Sequence, residues 1–171
     1  MKELMRRRPQ LRQICSVGLG LSLAITTALA IEEKSVPAFS VVRGDGAAIA
    51  STALTDVNQY VLLYLVPGSK ACDSLLAMLS DPESPELAKR VVIIVRSGIP
   101  QAAKYIHEHV PADVGEVTWY ADANDDAYRA LQFTGTPDLV GVRRGRVIWS
   151  INGVLNDSTT VRSVIRKWVK Y

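Results

Sequence analysis

Continuous apolar segments of strand length recur along the chain. Residues 60–66 and 91–95 contain only apolar side chains, many of them β-branched or aromatic. This pattern is typical of strands that are buried on both faces of a parallel sheet. A shorter run, residues 117–120, predicts a third strand of the same kind.

Helical patterns alternate with these strands. One helix is predicted to open at Ser69, a second to cover residues 100–109, and a third to cover residues 124–132. Asn124 or Asp122 is the expected N-cap of the third helix, because either side chain can accept hydrogen bonds from the first free backbone N–H groups.

The C-terminal part has a different order of elements. Residues 139–142 and 146–151 predict two strands joined by a tight turn around Gly145. A last helix is predicted from Asp157 or Ser158 to the C-terminus. Four residues form its apolar face: Val161, Val164, Ile165 and Trp168.

A small hairpin, residues 39–50 with a glycine turn, precedes the first long strand. Alternating strands and helices predict a parallel sheet covered on both faces, to which the closing hairpin adds antiparallel strands. The predicted fold class is therefore α/β, with a central mixed sheet, helices on both faces, and a C-terminal hairpin and helix.

The N-terminus has the pattern of an export signal. A basic stretch, residues 1–13, precedes an apolar run over residues 14–30 that ends in Ala28-Leu29-Ala30. We interpret residues 1–30 as a signal peptide cleaved after Ala30 or as a retained membrane anchor. Either form places the following domain outside the cytoplasm, in the periplasm or an equivalent compartment.

Residues 31–35 are predicted to be a linker and residues 36–171 a single domain. The paired arginines Arg7 and Arg8 leave export by the twin-arginine route open beside the general secretory route.

Charge and cysteine content narrow the functional classes. The formal net charge is +3, but the first thirty residues carry +4 and the remainder −1. The domain therefore has no excess of positive charge that would favour nucleic-acid binding. Cys15 lies within the apolar leader, so Cys72 is expected to be the single thiol of the mature domain.

Residues 65–76 carry the chemistry that the sequence suggests. The segment from Leu65 to Leu76 runs from a strand into a helix and resembles the site of the thioredoxin superfamily. It is most similar to redoxins of the cytochrome-maturation type and to the methylamine dehydrogenase accessory protein. Ser69 stands where that family has its first cysteine, and Cys72 stands at the second.

Three further segments support the resemblance. Residues 36–46 resemble the opening of redoxins, and residues 142–153 resemble their closing hairpin. Between them, Gly135-Thr136-Pro137 is similar to the family's Thr-Pro loop. The resemblance implies a thioredoxin-like fold, a cis Pro137, and a peptide-binding edge at Thr136 and Pro137.

The resemblance also implies that part of the redox site is lost. The first cysteine of such sites becomes a thiolate at the helix N-terminus and attacks a disulfide, which the second cysteine resolves. Ser69 cannot replace it without an adjacent base. Cys72 remains the candidate redox thiol, or it is a buried structural cysteine.

The histidines give no support for a catalytic base or a metal site. His107 and His109 lie on another predicted helix and point to different faces, so we interpret both as surface residues. Glu108 between them does not complete a convincing metal-binding set. We therefore predict no metal and no cofactor.

Three functions remain open, beside a purely structural interpretation in which a redox fold survives only as a scaffold. The first is an exported accessory or binding protein without dithiol oxidoreductase activity, whose partner is an exported or membrane protein that can itself contain cysteine. The second is a monothiol redox enzyme that uses Cys72. The third is peroxiredoxin-like reduction of peroxide, which would require an activating arginine such as Arg143 or Arg144 beside Cys72.

Overall fold

The computed structural model describes residues 34–77, 88–110, 117–153 and 158–170. The leader, residues 31–33 of the expected linker, and Asp157 lie outside the described residues. Within the described ranges, no helix has the length and apolar character needed to cross a membrane.

Within these ranges the chain forms strands β1 Lys34–Ser35, β2 Ser40–Val42, β3 Ala48–Ala50, β4 Gln59–Leu65, β5 Val91–Val95, β6 Thr118–Ala121, β7 Asp138–Arg143 and β8 Arg146–Asn152. The helices are α1 Lys70–Ala77, α2 Ile99–His109, α3 Asp126–Ala130 and α4 Ser158–Lys170, and a short 3₁₀ helix covers Ser51–Ala53.

The described strands form one mixed sheet in the order β1-β8-β7-β4-β5-β6-β2-β3. β4, β5 and β6 are parallel, whereas β7 pairs with β4 in the antiparallel sense and β8 returns beside β7. The predicted α/β class is confirmed, including both hairpins. The all-apolar segments form the central strands β4 and β5, in which every residue is buried.

Alternate residues of the central strands contribute to two separate apolar clusters. Leu63 and Ile93 belong to the cluster that also contains Cys72 and the buried face of α4. Leu62 and Ile94 belong to the cluster that contains Tyr64 and Phe133. Both faces of the sheet are therefore covered, as the continuous apolar runs predicted.

Two boundaries differ from the sequence prediction. Lys34 and Ser35, expected in a linker, pair with β8 as strand β1, so the ordered sheet begins before residue 36. The predicted helix over 124–132 is reduced to α3, and Asp125 at its N-cap position makes no side-chain capping bond. Asp122 instead accepts hydrogen bonds from the backbone N–H groups of Asp126 and Tyr128. It therefore caps the helix from a position earlier in the chain than the N-cap.

Candidate functional site

The connection from β4 to α1 contains the first candidate residue. Gly68 adopts a φ of +83°, which is strained for residues with a side chain, and so the chain can turn here. Ser69 follows half-buried, and its carbonyl accepts the hydrogen bond from Asp73 N–H that begins α1. The structure therefore places Ser69 at the start of the helix, as the sequence predicted.

Cys72 lies in the first turn of α1 and points into the core. Its exposed fraction is 0%, and it packs among apolar residues from β4, β5 and β7. The backbone N–H of Val66 lies 3.4 Å from its Sγ and donates to it. The sulfur is free of any disulfide, so it is a buried, hydrogen-bonded thiol.

The Thr136–Pro137 segment lies at the same end of the sheet as α1's first turn. Asp138 pairs with Tyr64 in the β4–β7 register, so Pro137 comes directly beside the end of β4. The peptide bond between Thr136 and Pro137 is cis, and the Pro137 carbonyl accepts a hydrogen bond from Gly153 N–H at 3.1 Å. Thr136 is half-buried, whereas Pro137 is buried.

Asp138 follows this segment and is a buried acid that the sequence analysis did not identify. Its exposed fraction is 0%, and neither carboxylate oxygen has a hydrogen-bond partner among the described residues. Because burial disfavours the charged form, the pKa of Asp138 is raised to about 6. The residue lies between Tyr64 of β4 and Asn152 of β8, on the sheet face opposite Cys72.

A polar cluster connects α1 to α2 next to Cys72. Tyr105 Oη donates a hydrogen bond to Asp73 Oδ1 at 2.8 Å, and His109 Nε2 lies 3.6 Å from the same oxygen. Burial raises the pKa of Tyr105, and the hydrogen bond to Asp73 raises it further. His109 is partly exposed, and the crossing of α1 and α2 also brings it to Asp73, a contact that its interpretation as an ordinary surface residue did not include. His107 is exposed, as expected.

A second polar cluster occupies the carboxyl ends of β5 and β6. Arg96 forms two hydrogen bonds with the Asp125 carboxylate, at 2.8 and 2.5 Å, and its guanidinium lies 4.1 Å from the centre of the Tyr128 ring. The hydrogen bonds from Arg96 lower the pKa of Asp125. Asp122 accepts a hydrogen bond from the buried Tyr64 hydroxyl at 2.8 Å. These interactions hold the loops beside the site in place.

The arginines considered for a peroxide site lie elsewhere. Arg143 donates to Gln59 Oε1 at the start of β4, and Arg144 N–H donates to the carbonyl of Asn58. Ser69 and Cys72 follow the other end of β4. Neither arginine is therefore in a position to activate Cys72.

No known protein family matches the sequence, and no curated protein matches it. Many solved structures are nevertheless similar in fold. One is a candidate thiol:disulfide interchange protein DsbE from Chlorobium tepidum, with a TM-score of 0.63 and 19% identity over 80% of this chain and 96% of that one. The fold is thioredoxin-like.

Two further similar structures are those of a secreted protein and of an exposed lipoprotein. A secreted disulfide oxidoreductase of Mycobacterium tuberculosis, homologous to E. coli DsbE, matches with a TM-score of 0.59 and 16% identity over 75% of this chain and 95% of its own. An exposed lipoprotein thioredoxin of Streptococcus pneumoniae, Etrx1, matches with a TM-score of 0.53 and 12% identity over 76% and 98%. At these identities the likeness concerns the fold.

The structure thus brings together the two segments that the sequence singled out. Ser69 and Cys72 on one side, and Thr136 and Pro137 on the other, lie where β4 ends and β7 begins. Sequence reasoning missed Asp138 and the approach of His109 to Asp73. The signal for Asp138 was an acidic residue at the start of an otherwise apolar strand.

Proposed function

We propose that this chain is an exported thioredoxin-like accessory or binding protein without dithiol oxidoreductase activity. Two observations together carry the proposal. Ser69 occupies the start of α1, and the Cys72 side chain has an exposed fraction of 0%. A dithiol mechanism needs an accessible thiolate for attack and a second thiol for resolution. Here the accessible position has a hydroxyl, and the remaining thiol is enclosed by the core.

Within the part of the chain that the structure describes, no hydrogen bond joins the Ser69 hydroxyl to a histidine or a carboxylate that could activate it. A serine hydroxyl requires a neighbouring general base. The histidine nearest to α1 is His109, and it lies against Asp73, one turn further along the helix. That interaction, together with the hydrogen bond from Tyr105, favours a role for Asp73 in joining α1 to α2.

The binding activity is assigned to the edge formed by Thr136 and Pro137. In proteins of this fold the backbone of the residue before this proline pairs with an extended peptide, and the same segment borders α1's first turn here. Ser69 and Thr136 are both half-buried and so remain partly accessible to a partner. The partner class is an exported or membrane protein, and a cysteine in it is not required for this mode of binding.

Export is proposed from the leader and is supported by the secreted and lipoprotein character of two proteins of similar fold. Residues 1–30 act as a cleaved signal peptide or as a retained anchor. The domain then works outside the cytoplasm, where a protein without a disulfide of its own depends on its core for stability.

Restoring the missing thiol tests this proposal. The wild-type chain should reduce insulin disulfides with dithiothreitol no faster than dithiothreitol alone. The Ser69→Cys variant should reduce them faster, because it supplies an attacking thiol at the helix N-terminus and leaves Cys72 to resolve the intermediate. The variant Ser69→Ala, which also lacks the hydroxyl but adds no thiol, is the matched control and should remain inactive.

Cys72→Ser in the wild-type background separates the monothiol alternative from the proposal. If wild-type protein turns over insulin or a glutathione mixed disulfide and Cys72→Ser does not, the chain is a monothiol redox enzyme and the proposal is wrong. Cys15→Ser is included in all variants so that Cys72 is the single natural thiol.

The peptide-binding edge has its own test. The Ser69→Cys variant combined with Cys72→Ser should trap partners as mixed disulfides, since the resolving thiol is absent. Adding Thr136→Pro removes the backbone N–H at the edge and should reduce the trapped yield of a cysteine-containing peptide. Thr136→Val retains that N–H and should not, and equal yields from the two variants would contradict the assignment.

A further inference from the structure

Positive and negative charge are segregated along the domain. Residues 139–171 contain seven arginines or lysines and one aspartate, a net charge of +6. Residues 31–138 contain eight basic and fifteen acidic side chains, a net charge of −7. The domain as a whole is therefore nearly neutral, although its C-terminal segment, residues 139–171, is strongly basic.

The structure collects part of this charge on one surface, which we call the basic face. Arg143, Arg144 and Arg146 are exposed in and beside the β7–β8 turn, and Lys167 is exposed on α4. The last turns of α4 lie against the start of β4, because Trp168 Nε1 donates to the Tyr60 carbonyl at 3.1 Å. The turn and the end of the helix are thus neighbours.

Two tryptophans form the floor of this surface. The Trp149 and Trp168 rings meet edge to face, with centroids 5.7 Å apart, and the Arg143 guanidinium lies 4.6 Å from the centre of the Trp168 ring. A groove of about 290 Å³ is lined by Arg143, Trp149, Val164, Lys167 and Trp168. Cationic side chains around a half-buried aromatic floor are suited to the phosphate and glycerol region of a lipid bilayer.

Chain connectivity favours a membrane as the occupant. Three residues separate Ala30, the end of the apolar run, from Lys34, and a connection of this length spans at most about 14 Å. β1 then pairs Lys34 with Val147 and Ser35 with Arg146, next to the β7–β8 turn. In the anchored form of the proposed function, the basic face is therefore held within reach of the bilayer.

We infer that the basic face docks on the anionic surface of the membrane in which residues 14–30 are anchored. The candidate site at the other end of β4 then points away from the lipid.

Hydrogen exchange of the full-length chain in lipid vesicles tests this inference. The chain is reconstituted in phosphatidylcholine vesicles and in vesicles that also contain phosphatidylglycerol. Amides of the β7–β8 turn should exchange about fivefold or more slowly in the anionic vesicles, and high salt should remove the difference. Amides of the β2–β3 turn should exchange equally in both, and those of β4 and β5 report whether the domain is folded.

Charge reversal supplies the matched comparison. Arg144→Glu with Lys167→Glu should abolish the slower exchange. Arg43→Glu with Lys104→Glu changes the net charge equally at exposed positions outside the basic face and should preserve it. Equal exchange of the wild-type turn in the two vesicle types would overturn the inference.

Flotation of the chain with the vesicles separates this inference from the anchor on which it rests. If the chain floats with phosphatidylcholine vesicles but its turn shows no lipid-dependent protection, the anchor stands and the docking face fails. If it floats only with anionic vesicles and the turn is protected, the docking face stands and the anchored form fails. Failure to float with either would remove both.

Discussion

Two buried groups at the candidate site differ in how well their polar atoms are accommodated. Cys72 packs among apolar residues and accepts one hydrogen bond, from Val66 N–H. Asp138, equally buried, has no hydrogen-bond partner for either oxygen among the described residues. A thiol loses little in such an environment, whereas a carboxylate loses its hydration. The buried Cys72 thiol is therefore compatible with a stable α1 side of the site. On the side at Pro137, ionisation of Asp138 lowers the stability of the fold.

The largest expected effect is the pH dependence that Asp138 causes. Its folded-state pKa of about 6 lies above the ordinary value of 3.8, so the native protein holds this proton more tightly than the unfolded chain. The stabilising contribution is complete below pH 4 and is lost as the pH rises through 6. It amounts to roughly 3 kcal/mol for a shift of about two pKa units.

Urea unfolding of the wild type and of Asp138→Asn between pH 4 and 8 measures this contribution. As the pH rises, the unfolding free energy of the wild type should fall relative to that of Asp138→Asn. Asp45→Asn is the control, because Arg43 and the Ala47 N–H lower the pKa of the exposed Asp45 to about 2. The contribution of Asp45 is lost only as the pH falls through that value. A parallel pH dependence of wild type and Asp138→Asn would contradict the account.

The next effect concerns Cys72 as a packing residue. Cys72→Ser places a hydroxyl in the apolar cluster and should lower the unfolding free energy by about 2 kcal/mol. Cys72→Ala leaves a small cavity but no polar group, and its loss should be smaller. Denaturant unfolding in a Cys15→Ser background checks both, and a serine variant as stable as wild type would show that the sulfur's environment is not apolar.

A smaller effect is expected at the junction of α1 and α2. Tyr105→Phe removes the hydrogen bond to Asp73 and should lower the unfolding free energy by about 1 kcal/mol. In an Asp73→Asn background the same substitution should cost less, since the acceptor is then uncharged. Equal costs in the two backgrounds would indicate that the negative charge of Asp73 does not strengthen the hydrogen bond.

The smallest effect is expected for His109. Its Nε2 lies 3.6 Å from Asp73 Oδ1, and both side chains are about one-third exposed. His109→Gln should therefore change the unfolding free energy by less than about 1 kcal/mol. Thermal unfolding of the wild type and the variant checks this, and a loss well above that amount would show a stronger interaction than this distance suggests.

The sequence predicted the parts of the fold that depend on local pattern. Apolar runs located β4 and β5, and helical spacing located α2 and α4, because period and burial are encoded within each segment. Strand β1 was missed, since two polar residues carry no such pattern and pair only because β8 offers a free edge.

The sequence predicted only those residues of the candidate site that belong to a recognisable motif. Ser69, Cys72, Thr136 and Pro137 lie where the resemblance implied. The burial of Asp138 depends on its register between β4 and β8, and the approach of His109 to Asp73 depends on how two helices cross. Neither long-range arrangement can be obtained from the spacing of residues along one chain.

The accessibility of Cys72 tests the central claim most directly. Alkylation of the folded Cys15→Ser chain with iodoacetamide is followed by mass spectrometry across pH 4 to 10, with the unfolded chain as reference. A buried structural thiol should react only as fast as the domain unfolds, at every pH. Rapid alkylation of the folded protein that reaches a plateau below about pH 7 would indicate an exposed, activated thiolate and would contradict the account.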